Sequence, residues 1–225
     1  MADRPEVLPV PWRSLLVGLQ HSRLPADRRL PDLPRGAGER GDTTRRATER
    51  FERDVLAKNP RPIVIQFGIN DATTDVWKMP PEAEPRVPKA EYRKNLTALL
   101  QSCRQKGINV VLMTPNSLRW SERRLELYGR PAYNWDDPEG LNLNLRPYTE
   151  EMRALEAATG TPLVDVMRAH DEAVRAGAPE LLSDGVHPNE QGHRVVAEPL
   201  MNLLRSRPEL LAPGKPEPSA AGKRR

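Results

Sequence analysis

The chain has 225 residues, enough for one α/β domain with a sizeable core. Its 35 Lys and Arg against 31 Asp and Glu leave a formal charge of +4, which argues for neither a nucleic-acid nor a membrane surface. A lone Cys103 excludes an intrachain disulfide, no apolar run approaches the ~20 residues that span a bilayer, and no leader-like apolar stretch follows Met1. These features lead to the expectation of a cytoplasmic protein, with the true N-terminus left open.

Residues 1–35 read as an irregular or diverged segment. Pro and Arg make up 13 of the first 40 residues, and Val7-Leu8-Pro9-Val10-Pro11 sits where a first strand is expected. Two prolines remove ladder donors there, so that strand is doubtful. Either the stretch is a mis-framed strand and helix, or it is a disordered arm. From residue 36 to 207 the pattern is that of one domain. Ala47, Phe51 and Val55 predict a helix over 44–58, stopped by Asn59-Pro60. The β-branched run Ile63 to Phe67 predicts a buried parallel strand. A proline-rich loop over 71–88 surrounds Trp77. Tyr92, Leu96, Leu99, Leu100 and Cys103 then share one helical face over 89–106, closed by Gly107. A strand is expected over 109–113, a long loop over 115–144, a helix over 145–159, a strand over 163–166 and a helix over 167–176. Asn189 is a good N-cap for a last helix carrying Val195, Val196, Leu200, Leu203 and Leu204. Residues 208–225 read as a disordered tail rich in Pro, Ala and Lys. Alternating strands and helices predict an α/β fold, a doubly wound parallel sheet with helices on both faces.

Three stretches carry chemistry. Asp184-Gly-Val-His187-Pro-Asn189 puts a carboxylate three residues from an imidazole, just ahead of a helix. An Asp so placed can accept the Nδ1 proton and leave Nε2 as a general base. Gly68-Ile-Asn70-Asp71 empties from a strand into a loop, and Gly41-Asp42-Thr43-Thr44 opens a helix. In this order the three resemble conserved blocks of the SGNH (GDSL-type) hydrolase family, over roughly residues 36 to 205. The family's G-D-S block is missing; Ser14-Leu15-Leu16-Val17-Gly18 keeps only S-L-x-x-G.

The resemblance implies a three-layer α/β/α flavodoxin-like sandwich with five strands, two of them from the N-terminal third. It implies a serine hydrolase that cleaves a small-acyl or carbohydrate-linked acetyl ester through an acyl-enzyme, without a cofactor. Ser14 would be the nucleophile, His187 the base and Asp184 its orienter. The backbone of Ser14 and Gly41 and the Asn70 amide would bind the oxyanion. Trp77, Trp120, Tyr133 and Trp135, in the two long loops, are candidates to wall a substrate pocket; self-packing of the loops is the alternative. The expected partner is a small-molecule ester, not nucleic acid or membrane, and the oligomeric state is open. Three other readings stand beside this one. Asp184, His187 and His193 could hold a metal, though no further ligand cluster accompanies them and none is expected. The Arg-rich stretch from Arg23 to Arg53 could bind nucleic acid, but acidic residues interleave it. A descendant without a positioned nucleophile could act as a binding protein.

Overall fold

The computed structural model describes residues 36–60 and 62–216, together with the backbone of a short strand, β1 (Leu15–Val17). Parallel strands β2 (Ile63–Gln66), β3 (Val110–Met113) and β4 (Leu163–Val164) follow β1 in the sheet, so strand order equals chain order. The register pairs Leu15 with Ile63, Ile63 with Val110, and Leu112 with Leu163.

Strand order explains the layers. Successive parallel neighbours joined by crossovers of one hand put every connecting helix on the same face. Helices α1 (Thr44–Asp54), α3 (Lys89–Gln105) and α5 (Gly140–Thr159) are those connections. Their Phe51, Leu96 and Leu145 share one core with Ile63, Ile65, Val110 and Leu112. The alternate residues Val64, Val111, Met113 and Val164 face the other way, onto Val196 and Leu204 of α7 (Glu190–Ser206). Period-two alternation thus divides an all-apolar run between two helical layers. Ile63, Ile65, Leu112 and Met113 are fully buried, each contributing about 1.5–3 kcal/mol.

Caps follow the sequence signals. The Thr43 hydroxyl accepts from Arg46 N at the start of α1, and Asn189 Oδ1 accepts from Gly192 N at 3.0 Å at the start of α7. Cys103 is buried in α3, and burial pushes its thiol up to about 12, which keeps it unreactive.

The structure differs from expectation at three places. The stretch 115–144 holds a short helix, α4 (Glu122–Tyr128), and the first turns of α5. One helical turn, α2 (Ile69–Ala72), stands where the loop after β2 was expected to begin. Residues 208–216 are not a disordered tail. Pro208–Leu211 form a 3-10 turn with Leu210 buried, and Asn109 Nδ2 donates to three backbone carbonyls of this segment. The apolar run 7–11 lies outside the described residues, whereas the described β1 begins at Leu15.

Candidate active site

Parallel strands end on one rim, and loops leaving it converge there. From β2 the chain turns at Gly68, whose φ of 137° suits glycine and whose ideal Cβ would come within 3.3 Å of Pro115. The turn delivers Asn70 half-buried on α2. Its Oδ1 accepts from Arg86 Nη1 at 3.1 Å, while Nδ2 makes no hydrogen bond among the described residues. Arg86 is forked onto Asp75, Nε lying 3.1 Å from both carboxylate oxygens and Nη2 2.7 Å from Oδ1. Burial opposes the Asp75 charge, but the guanidinium prevails and holds the carboxyl below its usual range.

Asp71 joins this turn to the Gly41 segment. Its Oδ1 accepts from Thr44 N at 2.8 Å and from Thr44 Oγ1 at 2.6 Å, and Asn95 Nδ2 donates to that hydroxyl. Gly41 sits at φ 72° just before, and its N–H is unspent among the described residues. Two candidate oxyanion donors, Gly41 N–H and Asn70 Nδ2, therefore belong to segments tied by one buried carboxylate.

The acid–base pair forms within one turn of chain. His187 Nδ1 lies 2.6 Å from Asp184 Oδ2, and Asp184 Oδ1 accepts from the backbone N–H of Val186 and His187 at 3.0 and 2.8 Å. Burial works against the Asp184 charge; the His187 N–H, its ring and the Val186 N–H outweigh it and hold the carboxyl low. His187 Nε2 takes no partner among the described residues, and the imidazole is 42% exposed, so a reactant can reach it. The loop is stapled beneath. Asn116 Nδ2 donates to Val186 O at 3.0 Å, Arg119 N to Gly185 O at 2.9 Å, and Ser121 Oγ to Asp184 O at 3.1 Å. All three donors lie on the segment leaving β3. Ile69 and Val186, the neighbours of Asn70 and His187, line one small recess with Leu118, Tyr133, Leu141 and Leu145. The residues next to Asn70 and His187 in the chain thus meet at one recess.

Gly185 makes the turn possible. It sits at φ 81°, and a Cβ there would come within 2.3 Å of Arg119 O. Gly185→Ala is expected to cost about 1–2 kcal/mol in a chemical-unfolding experiment and to lower turnover, because the loop must leave its staple.

Ser14 lies outside the described residues. Described β1 starts at the next residue, so in chain order Ser14 precedes the strand it was expected to follow. Of the four pocket aromatics, Tyr133 lines the recess; it is buried, and its hydroxyl accepts from Thr74 N at 2.9 Å. Trp120 instead packs edge-on against Tyr133 and donates to Asp137 O, as loop self-packing requires. Trp77 and Trp135 are exposed at 44% and 41%, outside the recess lining. A Ser–His contact elsewhere, Ser117 Oγ to His170 Nδ1 at 2.7 Å, is buried on both sides and braces the segment after β3. His193 lies on α7; burial lowers its pKa. Arg86, Asn116 and Leu118 escaped the sequence reading, since their partners lie far along the chain and no spacing marks them.

A parallel α/β/α sandwich carrying an Asp–His pair is the architecture of a class of ester hydrolases. The chain belongs to the GDSL-like lipase/acylhydrolase family, whose profile matches residues 8–195. It is 31% identical over 173 residues to an uncharacterized lipoprotein, YqeF, of Bacillus subtilis (strain 168), covering 72% of this chain and 69% of that one. It is 27% identical over 171 residues to an acetylxylan esterase of Geobacillus stearothermophilus, covering 74% and 69%. A catalytic Ser→Ala mutant of an acetylxylan esterase from that organism superposes with a TM-score of 0.59 at 26% identity, covering 76% of this chain and 70% of that one. LAE5, an alpha/beta hydrolase enzyme from the metagenome of Lake Arreo, Spain, matches with the same score, identity and coverage. Ester hydrolysis is the activity this membership carries.

Proposed function

We propose that this protein removes a small acyl group, most simply acetyl, from a carbohydrate-linked ester through an acyl-enzyme. The observation that carries the reading is the Asp184–His187 pair, whose chain neighbour Val186 lines one recess with Ile69, the neighbour of Asn70, with His187 Nε2 and Asn70 Nδ2 both unspent among the described residues. In this mechanism His187 Nε2 takes the proton of a serine hydroxyl as it attacks the ester carbonyl. Asp184 holds the imidazole in the tautomer with the proton on Nδ1 and stabilises the imidazolium. Gly41 N–H and Asn70 Nδ2 receive the oxyanion, each donor being worth about 3 kcal/mol in the transition state. His187 then protonates the leaving alcohol and activates the water that frees the acid.

Named relatives support the sugar-ester assignment. Solved structures of the acetylxylan esterase include catalytic mutants of a Ser, of an Asp and of a His, the last two positioned three residues apart, as Asp184 and His187 are here. The recess next to this pair, lined by Leu118, Tyr133, Leu141 and Leu145 with the polar Arg124 and Asn144, is small, which favours an acetyl group over a long acyl chain. Ser14 is the proposed nucleophile. The start of β1 at Leu15 favours a second reading, a binding protein with no serine in place.

Labelling with a fluorophosphonate, followed by peptide mapping, separates the two. The expected result is one labelled serine, Ser14, with hydrolysis of p-nitrophenyl acetate and of acetylated xylo-oligosaccharide. Label on another serine reassigns the nucleophile and keeps the esterase. Neither label nor turnover would leave the binding protein.

A further inference from the structure

We propose that Arg86 is a positioning residue for the oxyanion site: it locks the Asn70 amide so that Nδ2, and not Oδ1, faces the reacting carbonyl. This rests on the esterase reading above. An asparagine amide can sit in two orientations related by a half-turn, and only one is useful. With Nδ2 forward it stabilises an oxyanion; with Oδ1 forward it repels one. Nothing in the amide itself chooses between them.

Arg86 does. Its guanidinium carries donors and no acceptor, so the Asn70 atom 3.1 Å from Nη1 has to be oxygen. The flipped amide would set donor against donor. Arg86 can enforce this because it is itself held: Asp75 takes Nε and Nη2 in a fork, and Trp77 Nε1 and Lys78 Nζ lie 3.3 and 3.2 Å from the same carboxylate. The backbone is fixed too, Arg86 N donating to Thr73 O at 2.9 Å and Arg86 O accepting from Arg45 Nη1 at 3.0 Å. The proline-rich loop after β2 thereby gains a role: it carries Asp75, Trp77, Lys78 and Arg86 to the back of the amide.

The test is a double-mutant cycle read in kcat and KM. Arg86→Met is expected to lower kcat for p-nitrophenyl acetate by about 10- to 100-fold with KM changed less than about twofold, since the flip affects only the transition state. In an Asn70→Ala background the same change should cost less than about twofold, because nothing is left to orient. Arg86→Lys, which keeps charge but not the fork, should recover only part of the loss. An equal loss with and without Asn70, or a rise in KM alone, would overturn the proposal. Should Arg86→Met fail to fold, Asp75→Asn, which loosens the fork while leaving Arg86 in place, serves in the same cycle. A second readout does not need turnover. The Asn70 side-chain NH2 resonances are expected as one sharp pair in the wild type and as a broadened or doubled set in Arg86→Met; unchanged resonances reject the lock. If the wild type has no esterase activity, the functional reading fails while these resonances still decide the role of Arg86.

Discussion

His187→Ala is expected to lower kcat/KM for p-nitrophenyl acetate by about 10³-fold or more while leaving the melting temperature within a few degrees of wild type. The two halves of this result have separate causes. The imidazole is well exposed, so its removal opens no cavity, and the turn keeps its shape through backbone bonds to Asp184, Asn116 and Arg119. Under the proposed mechanism chemistry loses its general base, and neither other described histidine can replace it: His170 is buried against Ser117 and His193 lies back on α7. Asp184→Asn gives a graded control. The asparagine Oδ1 can keep the Val186 and His187 N–H bonds, but its Nδ2 would donate to His187 Nδ1. That moves the ring proton to Nε2, where it blocks base catalysis. A loss of about 10²-fold is expected, smaller than for His187→Ala because solvent around this half-exposed pair can restore the working tautomer part of the time. A variant His187→Ala that retains more than about a tenth of the activity would remove this residue from the mechanism.

Short-range signals were legible in the sequence. The Asp184–His187 pair, the Asn189 cap and the turn at Gly68 all depend on residues within five positions of one another, where side-chain type and spacing settle geometry. The sheet was legible for a related reason: β-branched runs such as Ile63-Val-Ile have no exposed face to offer. What stayed hidden depends on distant partners. Asn142 looks like a loop residue, yet it is buried in the first turn of α5, where Oδ1 accepts from Leu118 N and Nδ2 donates to Leu118 O. That cross-loop pairing moves the helix start to Gly140, five residues before the apolar stripe announces it. Helix α4 is mostly charged, so its apolar period is too thin to read, and the Ser121 cap was the available sign. Trp120 had the composition of a pocket wall, but its indole N–H found Asp137 O in its own loop. Arg86 reaches Asp75 and Asn70, 11 and 16 residues away, a contact no periodicity encodes.

Asp71 gives the second large effect, on stability rather than turnover. Its carboxylate is wholly buried, and Oδ2 has no hydrogen-bond partner among the described residues. Burial pushes its pKa up from 3.8 to about 6, against the opposing pull of the two Thr44 donors. The folded state therefore holds a proton that the unfolded chain has already released between these values. Stability contributed by Asp71 is greatest at acid pH and falls as pH rises through about 6, the whole span being worth about 3 kcal/mol. His170 works in the opposite sense: burial lowers its pKa below 6.5, so it removes stability as pH falls through that value. Comparing wild type with Asp71→Asn cancels His170, which both proteins share. The asparagine Oδ1 can still accept from Thr44 N and Oγ1, and no charge is left to bury. Urea unfolding from about pH 4.5 to about pH 7.5 should show wild type losing about 2 kcal/mol relative to Asp71→Asn. Parallel stability curves would mean that the carboxylate is solvated or paired in solution. Since the Thr44 clamp survives the substitution, turnover near neutral pH should change less than about tenfold, which separates the role of Asp71 in joining the Gly41 and Asn70 segments from any part in proton transfer.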